Sequence, residues 1–505
     1  MKTTIKYLLF GVAAAVLTGC NLDQTPYSES PASGYVKDLK GVNTLVIGAY
    51  NGLYDVLYYE WAVTELRSDN TRSRAAGSTS QDTKLIEQLD QGVITTAHDW
   101  VDEYWNACYA AIERTNRVIS SLETIISDYS SESDLKLAAR YEAEAKFLRA
   151  HLYFNLVRLW GPVFLVTESK SIDEARHMQR SPKEEVYDLI EGDLAYIVEN
   201  QLLPPPAEIP SDELGRVTLQ AAEALLAKVY MTRYEVGTEG YAKAEDMLRG
   251  ALNMSMGWVD NYADIFSIEN EMNAEIIFAV RYLSGNVGLG CPFGTLFGPN
   301  NNGNNVIMGS PKQYNYPTDN LVASYKANGT DLRKDVTLKE SYYNYTSNRP
   351  VTTTWCDKFL SPILHEYDGE NDWPVIRQAD VMLLLAEFIN ETAGPNNEAF
   401  ELLNRIRTRA GLESLTAAEL PKKSDFRQAL RDERRLEFAC ENQRWFDLLR
   451  WGIAVETVNE YFQKEKTFYD TYGYAINPIA EWQVMLPIPL AVTNINPNVA
   501  QNAGY

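Results

Sequence analysis

Apolar side chains recur every three or four positions along most of the chain, the pattern of helices that bury one face. The clearest run is 135–160. There Ala145, Leu148, Leu152, Leu156 and Leu159 share one stripe, and Gly161-Pro162 stops the helix. The same spacing predicts helices over 101–126, 219–234, 241–253, 375–390, 398–410, 425–440 and 443–452. Ser181 as a cap, with Pro182 at the first position and Glu184 following, predicts a further helix running to about residue 199. Pro204, Pro205 and Pro206 then break the chain.

Between 257 and 372 this periodicity fails. Residues 276–280 are continuously apolar and read as a buried strand. Residues 285–320 are rich in Gly, Asn and Pro, including NNNGNN at 300–305, and YYNY follows at 342–345. A long loop of this kind is usually functional or disordered. The pattern therefore predicts a mainly α fold: helix pairs with short connections in an α-solenoid-like scaffold, carrying an irregular, loop-rich inserted lobe with short strands. The 34-residue tetratricopeptide consensus is not visible at its usual positions.

Charge narrows the partners. The 505 residues carry 69 acidic against 46 basic side chains, a net of −23, which argues against nucleic acid, whose phosphates demand Lys/Arg surfaces. The four His are scattered, and no H-E-x-x-H, P-loop or G-x-S-x-G motif occurs, so neither a metal nor a cofactor is expected. Cys108, Cys291, Cys356 and Cys440 are widely spaced and read as isolated core or loop thiols.

The N-terminus is more specific. Lys2 and Lys6 precede an apolar stretch at 7–17, too short to span a bilayer, which ends in Leu17-Thr18-Gly19-Cys20. This resembles a bacterial lipobox. It implies a signal peptide over 1–19, lipidation of Cys20, and a lipid-anchored tether over 20–40, so that the mature chain is anchored to a membrane rather than spanning one.

Further segments, read in order, resemble the SusD/RagB family of outer-membrane nutrient-binding lipoproteins. They are AKFLRAHLYFNLVRLWGP (145–162), GRVTLQAAEALLAKVY (215–230), YADIF (262–266) with EIIFAVRY (275–282), ADVMLLLAE (379–387) and LNRIRTRAG (403–411). LRDERRLEF (430–438) with RWFDLLRW (444–451), and the ending LPIP (486–489), complete the series. The resemblance implies tetratricopeptide-like helix pairs: a SusD-like helical region over 41–256, a ligand lobe over 257–372, and a C-terminal helical region and tail over 373–505. It also implies a partner, a SusC-like TonB-dependent outer-membrane transporter, and a cargo, most simply a glycan.

A glycan site needs flat aromatic faces and a few hydrogen-bonding groups on loops over a rigid scaffold. Two regions offer both. The first is Asp69, Asn70 and Arg72, with Trp100 at the start of a helix; Trp105 keeps helical spacing with Tyr109 and Ile112 and reads as core. The second is the lobe, with Tyr314, Tyr316, Tyr342, Tyr343, Tyr345, Trp355 and Trp373. Trp373 also reads as a staple just before a helix.

The dense charges at 432–450 are expected to be packing rather than chemistry. Glu433 and Glu437 lie on one helix face, whereas a glycosidase needs carboxyls opposed across the scissile bond. Guanidinium–carboxylate pairs that lock helices together are the simpler reading. Binding without catalysis is therefore expected. Peptide cargo, a secreted glycosidase and a protein-only helical adaptor are the alternatives.

Overall fold

The computed structural model describes residues 36–73 and 80–505. The signal peptide, Cys20 and most of the tether lie outside the described residues.

The chain begins with α1 (Leu39–Thr64), whose first turn is capped by Asp38 accepting from the Gly41 N–H at 2.8 Å. A short helix α2 (Gln81–Asp90) follows. The next helices are α3 (Asp99–Ile125), α4 (Glu132–Trp160), α5 (Lys183–Glu199), α6 (Leu219–Arg233) and α7 (Glu239–Asn253). Packing is sequential: α1 lies on α3, α3 on α4, α4 on α5, α5 on α6 and α6 on α7. The series resumes after the lobe, because α7 packs on α9 (Gln378–Ala393), which in turn packs on α10 (Asn397–Arg409) and α11 (Lys423–Glu437). The protein is thus mainly helical, with tetratricopeptide-like helix pairs forming one scaffold and residues 254–377 inserted between neighbours. The helices α12 (Arg444–Arg450) and α13 (Ala454–Lys464) close the C-terminal side. Among the described residues no helix is long and apolar enough to cross a membrane.

Two local expectations are corrected. Ser181 is not the cap of α5: Pro182 occupies that position, and the Ser181 N–H donates instead to the Val163 carbonyl at 2.8 Å. Residues 375–377 do not begin a helix. They belong to β6 (Trp373–Arg377), an apolar run that pairs antiparallel with β2 (Ile276–Val280) and is largely buried. The staple role for Trp373 falls with this, since that ring is a strand residue packed between Phe359 and Phe293.

The lobe contains helix α8 (Asp319–Ala327) and two more antiparallel pairs. β1 (Thr71–Arg72) pairs with β3 (Tyr316–Pro317), and β4 (Leu338–Asn344) pairs with β5 (Arg349–Cys356). β1 comes from the N-terminal region, so this pairing ties the lobe to the scaffold. The Thr354 hydroxyl extends the tie by donating to the Pro317 carbonyl at 2.6 Å.

The charges of α11 are the lock between lobe and scaffold. Glu437 accepts from Arg377 at 2.9 Å, Arg409 at 2.6 Å and Arg333 at 3.2 Å. Glu433 accepts from Arg333 at 2.6 Å and Arg407 at 2.9 Å. Burial pushes the Glu437 carboxyl up, but Arg409, Arg377 and Arg333 outweigh it and bring it down to about 2. Both carboxylates are occupied by four guanidinium groups, from β6, from α10 and from Arg333 in the lobe, which is a packing role. The four cysteines beyond Cys20 are free and buried.

Candidate functional site

Tyr50, Tyr54 and Tyr58 stand at four-residue spacing on α1 and form a stripe beside its apolar face. Two of them are anchored. The Tyr50 hydroxyl donates to Glu144 at 2.8 Å, and the Tyr54 hydroxyl donates to the Arg281 carbonyl at 2.6 Å. Tyr54 also stacks on Tyr282 of the lobe, with centroids 4.8 Å apart and planes 18° from parallel.

One turn further on, Tyr58 stacks on Trp100 at 5.9 Å and 19°, while Tyr59 meets the same indole edge-on at 5.3 Å. Trp100 rests in turn on Trp61, and Trp61 on Phe297 of the lobe. The cluster is therefore layered: Trp61 and Trp100 are buried, and Tyr58 and Tyr59 form its half-exposed outer surface. Such a stack gives rigid, flat faces at small entropic cost.

The lobe brings two further tyrosines near Tyr58. Tyr314 hangs from the Leu296 carbonyl through its N–H at 2.9 Å, and its hydroxyl bonds the Thr83 side chain of α2. The Tyr367 N–H donates to Thr295 Oγ1 at 2.8 Å, and its φ of +61° puts a bulky residue in the left-handed region. Strain of that kind gathers at functional sites, where the surroundings enforce it. Burial pushes the Tyr58 hydroxyl up to about 12, with Tyr367, Tyr59, Asp82 and Tyr314 adding to the effect. Among the described residues no partner takes the Tyr58 or Tyr59 hydroxyl, which leaves both free for a ligand.

A second aromatic surface lies at the tip of the β4–β5 hairpin. Tyr343 and Tyr345 are 40% and 51% exposed and meet edge-on at 4.8 Å. The asparagine-rich loop supports them from beneath. The Tyr345 N–H donates to the Asn301 carbonyl at 2.8 Å, and its ring lies against Gly303, where a Cβ would collide. The Tyr343 hydroxyl donates to Asn348 at 2.9 Å.

The residues expected from sequence divide as follows. Asp69, Asn70 and Arg72 are not a ligand cluster in this structure. Asp69 accepts from Arg444 at 2.7 and 3.0 Å, Asn70 accepts from Arg435 at 2.9 Å, and Arg72 pairs with Glu465 and, at 3.2 Å, with Asp319 while covering Phe468. All three are buried and join the N-terminal region to the C-terminal helices. Trp373, Tyr316 and Trp355 are likewise buried, on β6, β3 and β5. The physical reason is common to all: a polar or aromatic side chain in a loop sequence is turned inward wherever another element lands on that loop. Trp100 is the buried support of the aromatic cluster, and Tyr314 is buried close enough to Tyr58 to influence its hydroxyl. Tyr343 is exposed. Trp105 is core, as its spacing indicated.

Sequence reasoning overlooked Tyr58, Tyr59 and Tyr367. The tyrosine stripe of α1 was a usable signal for the first two. The strained backbone that presents Tyr367 has no sequence signature.

Comparisons with known proteins agree with this architecture. The family described as "SusD family" matches residues 308–505, and the family described as "Starch-binding associating with outer membrane" matches residues 21–231. SusD-like protein P25 of Formosa agariphila is 27% identical, over 96% of this chain and 96% of its own. The solved structure of a SusD homolog from Bacteroides thetaiotaomicron superposes with a TM-score of 0.77 at 22% identity, covering 95% of this chain and 99% of that one. A structure described as a laminarin binding SusD-like protein superposes with a TM-score of 0.74 at 23% identity, covering 93% of this chain and 100% of that one.

Proposed function

Since the chain belongs to the SusD/RagB family, we propose that it is a non-enzymatic binding protein of the outer membrane, which captures an oligo- or polysaccharide and hands it to a partner TonB-dependent transporter. In this reading Cys20 carries the lipid anchor and the body faces the cell exterior. The observation that carries the proposal is the pair of half-exposed rings, Tyr58 and Tyr59, packed on buried Trp100, the first stacked on it and the second edge-on. Sugar rings present C–H faces that stack on such platforms, and the free tyrosine hydroxyls can bond sugar hydroxyls. The exposed Tyr343–Tyr345 pair is a second contact for a long chain. The family description as starch-binding and outer-membrane-associated supports the cargo and the location, and the laminarin-binding neighbour supports glycan over peptide.

Stacking on an open platform with few hydroxyl contacts gives roughly micromolar to millimolar affinity, about −4 to −8 kcal/mol. Weak capture suits a relay that has to release its cargo.

The test is calorimetry of the soluble chain beginning at residue 21 against plant, host and microbial oligosaccharides, with the same samples watched for cleavage. Binding without cleavage, weakened in Tyr58→Ala and Tyr59→Ala, is the expected result. Cleavage of any bound sugar would sink the non-enzymatic reading. Binding of peptides and of no glycan would transfer the site to peptide cargo.

A further inference from the structure

Three guanidinium groups and two carboxylates meet where α9 runs beside α11. Arg427 and Arg431 are one turn apart on α11, and Glu387 and Glu391 are one turn apart on α9. Glu391 accepts two hydrogen bonds from Arg427, at 2.7 and 2.6 Å. Glu387 accepts two from Arg450, one of them at 2.8 Å, and a third from the Trp451 indole at 3.0 Å. Both carboxylates are thereby used, and among the described residues Arg431 has no ion pair. Its Nε is buried without a hydrogen-bond partner, and its head lies 4.8 Å from the Trp451 ring centre. Burial draws this guanidinium below its ordinary value; Glu387 opposes the shift, and Arg427 adds to it.

Arg431 and Trp451 form the wall between two open cavities, of about 390 and about 320 Å³. Asn390 lines the larger one and is 1% exposed. Its Nδ2 donates to Glu391 Oε1 at 2.9 Å and to the Lys423 carbonyl at 3.2 Å. Both neighbours are acceptors, so the amide orientation is fixed and Oδ1 is the atom left without a partner. Glu235 lies on the rim and is exposed to solvent.

Buried polar groups in native proteins are rarely left unmatched. Here two are unmatched on one cavity wall, one needing an anion and the other a donor. A carboxylated sugar carries both groups on one ring. We propose that this cavity is a second ligand site, separate from the Tyr58 platform, and that it binds a uronate residue. The carboxylate pairs with Arg431, a ring hydroxyl donates to Asn390 Oδ1, and the apolar face of the sugar lies against Trp451. The net charge of −23 does not forbid this, because surface charge is screened beyond about 8 Å in physiological salt, while Arg431 stands in the cavity wall itself.

The test titrates the soluble chain with digalacturonate, with its fully methyl-esterified form and with inorganic phosphate. It uses the parent, Arg431→Gln, Arg431→Lys and Tyr58→Ala, with thermal melts to confirm folding. Digalacturonate should bind the parent and the methyl ester should not. Arg431→Gln should weaken binding roughly tenfold or more, as expected for a lost charged hydrogen bond. Arg431→Lys, which keeps the charge but loses the planar fork, should fall between the two. Tyr58→Ala should leave digalacturonate binding unchanged. Four results would each overturn the proposal: no binding of digalacturonate, equal binding of the ester, full binding by both Arg431 variants, or loss of binding in Tyr58→Ala. Phosphate binding as tight as digalacturonate would overturn it too, since the cavity would then read bare anions rather than sugars.

Discussion

Arg444 clasps Asp69 with two hydrogen bonds, at 2.7 and 3.0 Å, across 375 residues of sequence. Burial opposes the charged form of Asp69, yet Arg435 and Arg444 hold its carboxyl well below the ordinary range. Both partners are nearly inaccessible, so removing one leaves a buried charge unpaired. Asp69→Ala should cost about 3–5 kcal/mol. Chemical denaturation measures it, and the folded fraction should still bind glycan normally. A selective loss of binding in a fully stable variant would return Asp69 to the ligand site.

Glu437 predicts the acid limb of stability. Its folded-state carboxyl titrates at about 2 against an ordinary 4.5. A depressed carboxyl contributes stability that is complete above its unfolded value and is lost as pH falls toward its folded value. Unfolding free energy should therefore drop between pH 4.5 and 2. Glu437→Gln should be less stable than the parent at pH 7 and should show a flatter profile in that window.

Asp90 works in the opposite direction. Burial pushes its carboxyl from 3.8 up to about 8, although the Tyr469 hydroxyl at 2.8 Å and the Ser73 N–H at 3.1 Å hold it. Folding then keeps a proton that the unfolded chain has already released, so this group takes away stability as pH rises from 3.8 toward 8. Asp90→Asn mimics the protonated form. Its melting temperature should match the parent near pH 4 and exceed it increasingly toward pH 8.

Trp373 stacks on Phe359 at 4.1 Å and touches Phe293 at 4.4 Å, deep beneath the lobe. Trp373→Ala should cost about 3–5 kcal/mol through the cavity it leaves. Tyr58→Ala, at a half-exposed ring, should lower the melting temperature far less while abolishing most binding of uncharged glycans. Equal stability loss in the two would mean that Tyr58 is packing and not platform.

At the hairpin tip, Tyr343→Ala with Tyr345→Ala should leave stability nearly unchanged, because both rings are largely solvent-facing. Affinity for long oligosaccharides should fall and affinity for short ones should not. Calorimetry against a length series reads the difference.

Helices such as α4, α6 and α10 were legible because amphipathic periodicity is a local property: each apolar stripe is written within one segment and needs only some partner to bury it. The arginine–carboxylate lock of α11 was legible for a similar reason, since closely spaced opposite charges on one helix leave few other uses. Residues 373–377 were misread because a short apolar run fits a buried strand or a helix start equally well, and its pairing partner β2 lies far away in sequence.

The binding face was the least legible. Composition and order announced many aromatic residues in the lobe, and sequence alone fixed their presence, the acidic balance and the family resemblance. Only the tertiary structure decided which rings face solvent, because exposure depends on what other segments cover. Trp373 and Tyr343 are both lobe aromatics, yet one lies under Phe359 and the other stands at a hairpin tip. Tyr58 reads as an ordinary helix position until α3 brings Trp100 beneath it and the lobe brings Tyr367 near it. The same holds for Arg431, whose missing partner is evident only once Arg427 and Arg450 have taken both nearby carboxylates.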